Sequence, residues 1–261
     1  LQPSGCFSVQ PETGLDQDAD RGDSSALGMP NAVQDRRSRG RAADRKQARS
    51  PPRPPALPMQ HRSGSLPGTE PSPKGLFIDL WGTLCELPRH GEAHRPEEVR
   101  FVPGALDALF RARRRGFQLY LIGNQASVAF GDVDDGTWLA IEDTLLSGLS
   151  GAGAELTRSY LCLVHPRGQG RRRGESVYHL PNTGAFYHAA HHDGLDLRSS
   201  WVIGDSTLEL VAGWRAGLRL CGVRTGLCLS DRAYDVELQT SARSLTEAIE
   251  NLLPLAPKLV A

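Results

Sequence analysis

The chain has 261 residues, and its 30 lysines and arginines balance 30 aspartates and glutamates to a formal net charge of zero. That length holds one large domain or two small ones, and the charge balance supplies no electrostatic drive towards nucleic acid or a membrane surface. No run of about 18 apolar residues occurs, which argues against a transmembrane helix.

Residues 1–74 carry most of the proline, lack apolar periodicity and include the basic run "DRRSRGRAADRKQARSPPRPP" at 35–55. Such a composition buries too little apolar surface to offset chain entropy, so a disordered extension is expected there. The basic run leaves open an arm for a protein partner, with a solvated tail as the plainer reading and nucleic acid disfavoured. Met29 and Met59 are the only methionines, and part of what precedes Met59 reads as an upstream extension. The N-terminus has no basic, apolar and cleavage-site order of a signal peptide. Cys6, Cys85, Cys162, Cys221 and Cys228 form an odd, scattered set that suits reduced thiols, so a cytoplasmic protein is expected.

From residue 75 to 253 short apolar runs alternate with amphipathic stretches, leaving 254–261 as a tail. "LFIDL" (76–80) predicts a buried strand, and "PGALDALFRARRRG" (103–116) a helix with Pro103 in its first turn. "FQLYLI" (117–122) is the next strand, followed by a long helix from about 134 and a strand at "SYLCLV" (159–164). A basic, Gly-rich loop then leads to a helix at "TGAFYHAAHHDGL", a strand at "SSWVIGDS", a helix at "TLELVAGWRAGL" and a strand at "RLCGV". A last helix starts at Ser244, where Ser-Leu-Thr-Glu247 has the spacing of a reciprocal cap. Strands joined by crossover helices predict an α/β, Rossmann-like doubly wound parallel sheet, whose ligands sit beyond the carboxyl ends of the strands.

Asp79, Asn124 and Asp205 fall at such ends. A strand-terminal aspartate can attack phosphorus and form an aspartyl-phosphate. Two carboxylates beside a phosphate repel it, so Asp79 and Asp205 make sense together around a hard cation, with Mg2+ suited to oxygen ligands. Glu209 starts the following helix and is placed to orient a metal-bound water.

"GLFIDLWGTL", "VRFVPGALDALFRARRRGFQLYLIGNQASVAFG", "CLVHPRG", "LPNTGAFYHAA" and "SSWVIGDSTLELVAGWRAG" occur in the order and spacing of the haloacid dehalogenase (HAD) superfamily. The chain most resembles its compact sugar-phosphate branch, that of the heptose bisphosphate and histidinol-phosphate phosphatases, over about residues 75–253. The resemblance implies a HAD-like core with a minimal cap, Asp79 as nucleophile and Mg2+ on Asp79, the Trp81 carbonyl and Asp205. It also implies phosphate contacts at Gly123 and Asn124.

Three stations depart from the family pattern. Trp81 stands where the resemblance implies the aspartate that serves as acid and base; Gly123 replaces a phosphate-binding hydroxyl, and Leu180 a lysine. No lysine lies between Lys74 and Lys258, leaving Arg171, Arg172, Arg173 or His179 to supply charge. Of the branch's zinc ligands only Cys162 matches, with Val164, Ser176 and Tyr178 at the other stations, so no structural zinc is expected.

The reading is a sugar-phosphate phosphatase fold with weak or absent catalysis, acting on a small phosphorylated substrate if active. The alternative is a non-catalytic structural or interaction subunit. A dehalogenase-type reaction ranks third: those enzymes carry an aromatic residue at the Trp81 position but keep the lysine.

Overall fold

The structure is a computed structural model that describes residues 72–253. The expected extension and its basic arm, apart from the last residues before 75, lie outside the described residues, as does the tail 254–261.

Six strands, β1 (Lys74–Asp79), β2 (Phe117–Asn124), β3 (Arg158–Cys162), β4 (Trp201–Gly204), β5 (Arg219–Val223) and β6 (Thr240–Ala242), form one sheet in the order β3-β2-β1-β4-β5-β6. Every pairing is parallel. The helices are α1 (Ala105–Arg114), α2 (Ala126–Phe130), α3 (Asp135–Gly151), α4 (Gly184–Asp193), α5 (Thr207–Ala216) and α6 (Leu245–Leu252). The α/β Rossmann-like expectation holds.

Strand alternation divides β1 between two cores. Leu76 and Ile78 join Leu109 of α1, Ile141 of α3 and Ile249 of α6. Phe77 points to the other face, stacking on Tyr120 at 4.6 Å and meeting Phe186 of α4 edge-on at 4.9 Å. Burying both faces explains why the strands read as continuous apolar runs.

Two elements arise without a signal in the sequence. β6 has three residues and no apolar run, and exists because Thr240–Ala242 pairs in register with Cys221–Val223. α2 is a single short helix directly after β2. α1 begins at Ala105 behind a left-handed Gly104, leaving Pro103 outside its first turn. At α6, Ser244 accepts from the Glu247 N–H at 3.4 Å, but Glu247 gives its carboxylate to the Arg243 N–H at 2.7 Å, so only half of the expected reciprocal cap forms. No helix of the described residues is long and apolar enough to cross a membrane.

Candidate active site

From β1 the chain winds outward through β2 and β3, and from β4 it winds the other way through β5 and β6. The strand order therefore reverses between β1 and β4, which opens a crevice at their carboxyl ends. Asp79 is the last residue of β1, and Asp205 directly follows β4. Glu209 joins them from the first turn of α5. Its placement follows from a reciprocal cap: the Ser206 N–H donates to Glu209 Oε1 at 2.6 Å and the Ser206 hydroxyl to Oε2 at 2.5 Å, folding the carboxylate back towards the strand end. One oxygen from each of the three acids lies within 4.8 Å of the others.

Asp205 is held firmly. Its Oδ2 accepts from the Leu227 N–H at 2.6 Å, and its Oδ1 from the Thr83 hydroxyl at 3.4 Å. Gly82 and Gly226 close on it from two turns with φ of +91° and +59°, and a methyl group on either would collide with Oδ2. Only glycine meets both the backbone handedness and the space there.

Among the described residues, no ion pair involves any of the three acids. Burial pushes Asp79 well above the usual carboxylate range, and the charges of Glu209 and Asp205 push it further. Burial raises Asp205 too, against the Leu227 N–H that favours its anion. Glu209 is lifted to about 8, chiefly by burial. Three converging acids without a base form an arrangement that a hard divalent cation relieves. Among the described residues no other set of three or more His, Cys, Asp or Glu side chains is close enough to share an ion.

The departing stations have structural employment. Trp81 is 7% exposed, packs into the Leu76 core and donates its indole N–H to Gln125 Oε1 at 3.0 Å. Leu180 is 3% exposed and lies in the Phe77 core. Both ends of the Asn124 amide are occupied by its backbone: Nδ2 donates to the Leu180 carbonyl at 3.0 Å and Oδ1 accepts from the Leu180 N–H at 2.8 Å. Arg171 and Arg172 both pair with Asp135 at the start of α3. His179 faces His165, ring centres 5.1 Å apart, and burial holds its pKa down, so it carries little charge at neutral pH. Cys162 Sγ donates to the Val164 carbonyl at 3.3 Å, and His165 packs against Phe130.

Sequence reasoning assigned no role to Thr83 or Glu92, and gave Gln125 only as the companion of Asn124 in the Asn-Gln pair that the resemblance implies after the second strand. Glu92, in the loop after β1, accepts from the Ala126 N–H at 2.8 Å, the Ser127 N–H at 2.9 Å and the Ser127 hydroxyl at 2.6 Å, which ties that loop to the start of α2. Gln125 is 1% exposed, and its Nε2 has no partner among the described residues.

A HAD-hydrolase-like family model matches residues 178–248. A D-glycero-beta-D-manno-heptose-1,7-bisphosphate 7-phosphatase of Pasteurella multocida is 26% identical over 187 residues, 72% of this chain and 96% of that protein. The corresponding alpha-anomer phosphatase of Burkholderia mallei is 27% identical, over 69% of this chain and 92% of its own. The structure of D,D-heptose 1,7-bisphosphate phosphatase from B. bronchiseptica, complexed with magnesium and phosphate, superimposes with a TM-score of 0.61 at 24% identity, covering 69% of this chain and 97% of that one. The chain is a HAD-like protein that resembles the heptose bisphosphate phosphatases. The family model covers α4 through the first half of α6 and includes Asp205 and Glu209, while the relatives extend the match over most of the described fold.

Proposed function

We propose that this HAD-like chain is a Mg2+-dependent phosphatase of the sugar-phosphate type, in which phosphate binding persists and turnover is weak or lost. The observation that carries this reading is the convergence of Asp79, Asp205 and Glu209 at the point where the strand order reverses. The donor set is all oxygen and otherwise unneutralised, which fits Mg2+. Asp79, Asp205 and the Trp81 carbonyl would hold the ion, with Glu209 behind them. When bound, it supplies the positive charge that lets two carboxylates coexist with a phosphate.

Asp79 is the nucleophile. Its carboxylate oxygen forms a bond to phosphorus while the bond from phosphorus to the ester oxygen breaks, and the departing alkoxide needs a proton. Trp81 cannot give one, because its indole N–H is committed to Gln125 and is not acidic at neutral pH. Nor can indole activate water against the aspartyl-phosphate. Loss of general acid-base assistance costs about 10²- to 10⁴-fold in rate. Leu180 adds no charge where a cation would neutralise phosphate, so the clamp is weakened as well.

The relatives' names point to a phosphorylated sugar as the substrate class, and the two anomers among them leave the anomeric preference of this chain open. The test is phosphate release from heptose 1,7-bisphosphate and a panel of phosphate esters, with Mg2+ and with chelator. Slow Mg2+-dependent release that Asp79→Asn abolishes supports the reading; fast release contradicts the impaired mechanism.

A second reading, a non-catalytic structural or interaction subunit, draws on the burial of Trp81 and Leu180 as core side chains. It expects no release from any ester and co-purification with a partner held through residues 1–74.

A further inference from the structure

At the amino ends of the strands, opposite the acid cluster, lies a hollow of about 360 Å³. Parallel register and strand alternation build it. Lys74 pairs with Phe117, Leu76 with Trp201, Trp201 with Arg219 and Cys221 with Thr240. Lys74 and Leu76 are two residues apart on β1, as are Arg219 and Cys221 on β5. The side chains of Lys74, Phe117, Trp201, Arg219 and Thr240 therefore project from five strands to one face, the face of the Leu76 core. Leu252, at the end of α6, closes the hollow from that side. Five steps of β1 separate Lys74 from Asp79, about 17 Å at the rise of a strand.

The charge in the hollow is one-sided. Lys74 and Arg219 line it, and no aspartate or glutamate does. Among the described residues every ion pair joins an arginine to an acid, and none includes Lys74 or Arg219. The Arg219 guanidinium instead lies over the Trp201 ring, 5.6 Å from its centre, which directs the cation without neutralising it. Trp201 is on β4, between β1 and β5, so Lys74 and Arg219 stand on backbones about 10 Å apart with the indole between them. Two long cationic side chains can reach one anion across that gap. Thr240 and Asn251 add a hydroxyl and an amide donor, and Phe117, Trp201 and Leu252 form an apolar wall.

We infer that this hollow is a second anion site, which takes a phosphate monoester with a ring-shaped body. The phosphoryl group lies between Lys74 and Arg219, and the ring lies against Trp201 and Phe117. The volume falls in the range of small-molecule sites, and the lining has the form of such sites, an apolar wall with a few polar groups that fix orientation. Inorganic phosphate shares the charged half of this chemistry and lacks the other. The site is separate from Asp79, and the inference stands whether or not Asp79 turns a substrate over.

The experiment is calorimetric titration of the full chain in chelator, where the Asp79 cluster has no cation to recruit phosphate. The probes are phenyl phosphate and inorganic phosphate. Phenyl phosphate should bind more tightly than inorganic phosphate, and its affinity should fall as salt rises. Lys74→Gln and Arg219→Gln each remove one charged contact and should weaken phenyl phosphate by about 10- to 100-fold. Both side chains are exposed, so the two variants should keep the parent's melting temperature to within a few degrees and its Mg2+-dependent hydrolysis. Asp79→Asn should leave the affinity in chelator unchanged. No binding by the parent, equal affinity in the parent and both glutamine variants, or equal affinity for the two probes would overturn the inference. So would an affinity that changes with Asp79→Asn, which would move the anion to the acid cluster.

Discussion

Glutamine in place of Glu209 probes the electrostatic strain of the acid cluster. Glu209 titrates at 4.5 in an ordinary setting and at about 8 in the folded, metal-free protein, where burial disfavours its anion. Because the folded pKa lies above the unfolded one, the stabilisation is complete below about pH 4.5 and is lost as pH rises through 8. At about 1.36 kcal/mol per unit the whole shift corresponds to ~5 kcal/mol. The three acids titrate together, so the part that belongs to Glu209 alone is smaller, on the order of a few kcal/mol. Glutamine keeps an acceptor for the Ser206 N–H, can donate from its Nε2 to the Ser206 hydroxyl in place of accepting from it, and has no proton to lose. In chelator, Glu209→Gln should therefore exceed the parent in urea-unfolding free energy by about that amount at pH 8.5, and match it near pH 4.5. Added Mg2+ should stabilise the parent more than the variant at pH 8.5. A chelated variant that is equal to or less stable than the parent at pH 8.5 would refute the picture of three acids confined without a counter-charge.

Gly82→Ala places a methyl group against Asp205 Oδ2 at a φ of +91°, and is expected to lower stability by about 1–3 kcal/mol and to weaken Mg2+ binding in calorimetry. Unchanged Mg2+ affinity would separate that turn from the metal site. Glu92→Ala strips the acceptor from the Ala126 and Ser127 N–H groups, a loss of about 1–3 kcal/mol that hydrogen exchange should read as faster exchange at those two amides. Equal protection in parent and variant would show that the loop does not hold the start of α2.

The parts of the site that the sequence made legible are those fixed by local periodicity. Apolar runs placed Asp79 and Asp205 at strand ends, and alternating strands and helices implied the crossing point that brings them together. Glu209 was legible as the start of a helix, but its entry into the cluster depends on the Ser206 cap, which its Ser-x-x-Glu spacing also encoded. What escaped detection is long in sequence separation. The Trp81–Gln125 bond spans 44 residues, and the contact of Thr83 with Asp205 spans 122. Asn124 was read as a phosphate contact from its motif, yet a rigid two-bond match with the Leu180 backbone takes its amide, something only tertiary placement reveals. β6 and α2 are too short to show a period of their own, and tertiary pairing decides whether such segments are regular.

The most direct test of the central claim, a phosphate site with its nucleophile intact and its acid missing, is the dependence of Mg2+-dependent hydrolysis on the leaving group. An ester with an acidic phenol, such as p-nitrophenyl phosphate, leaves without a proton, whereas a sugar or alkyl phosphate does not. The account predicts measurable release from the phenyl ester, abolished by Asp79→Asn, and release from alkyl and sugar esters lower by about 10²-fold or more. Equal rates on both classes would mean that another group supplies the proton, and would contradict the account.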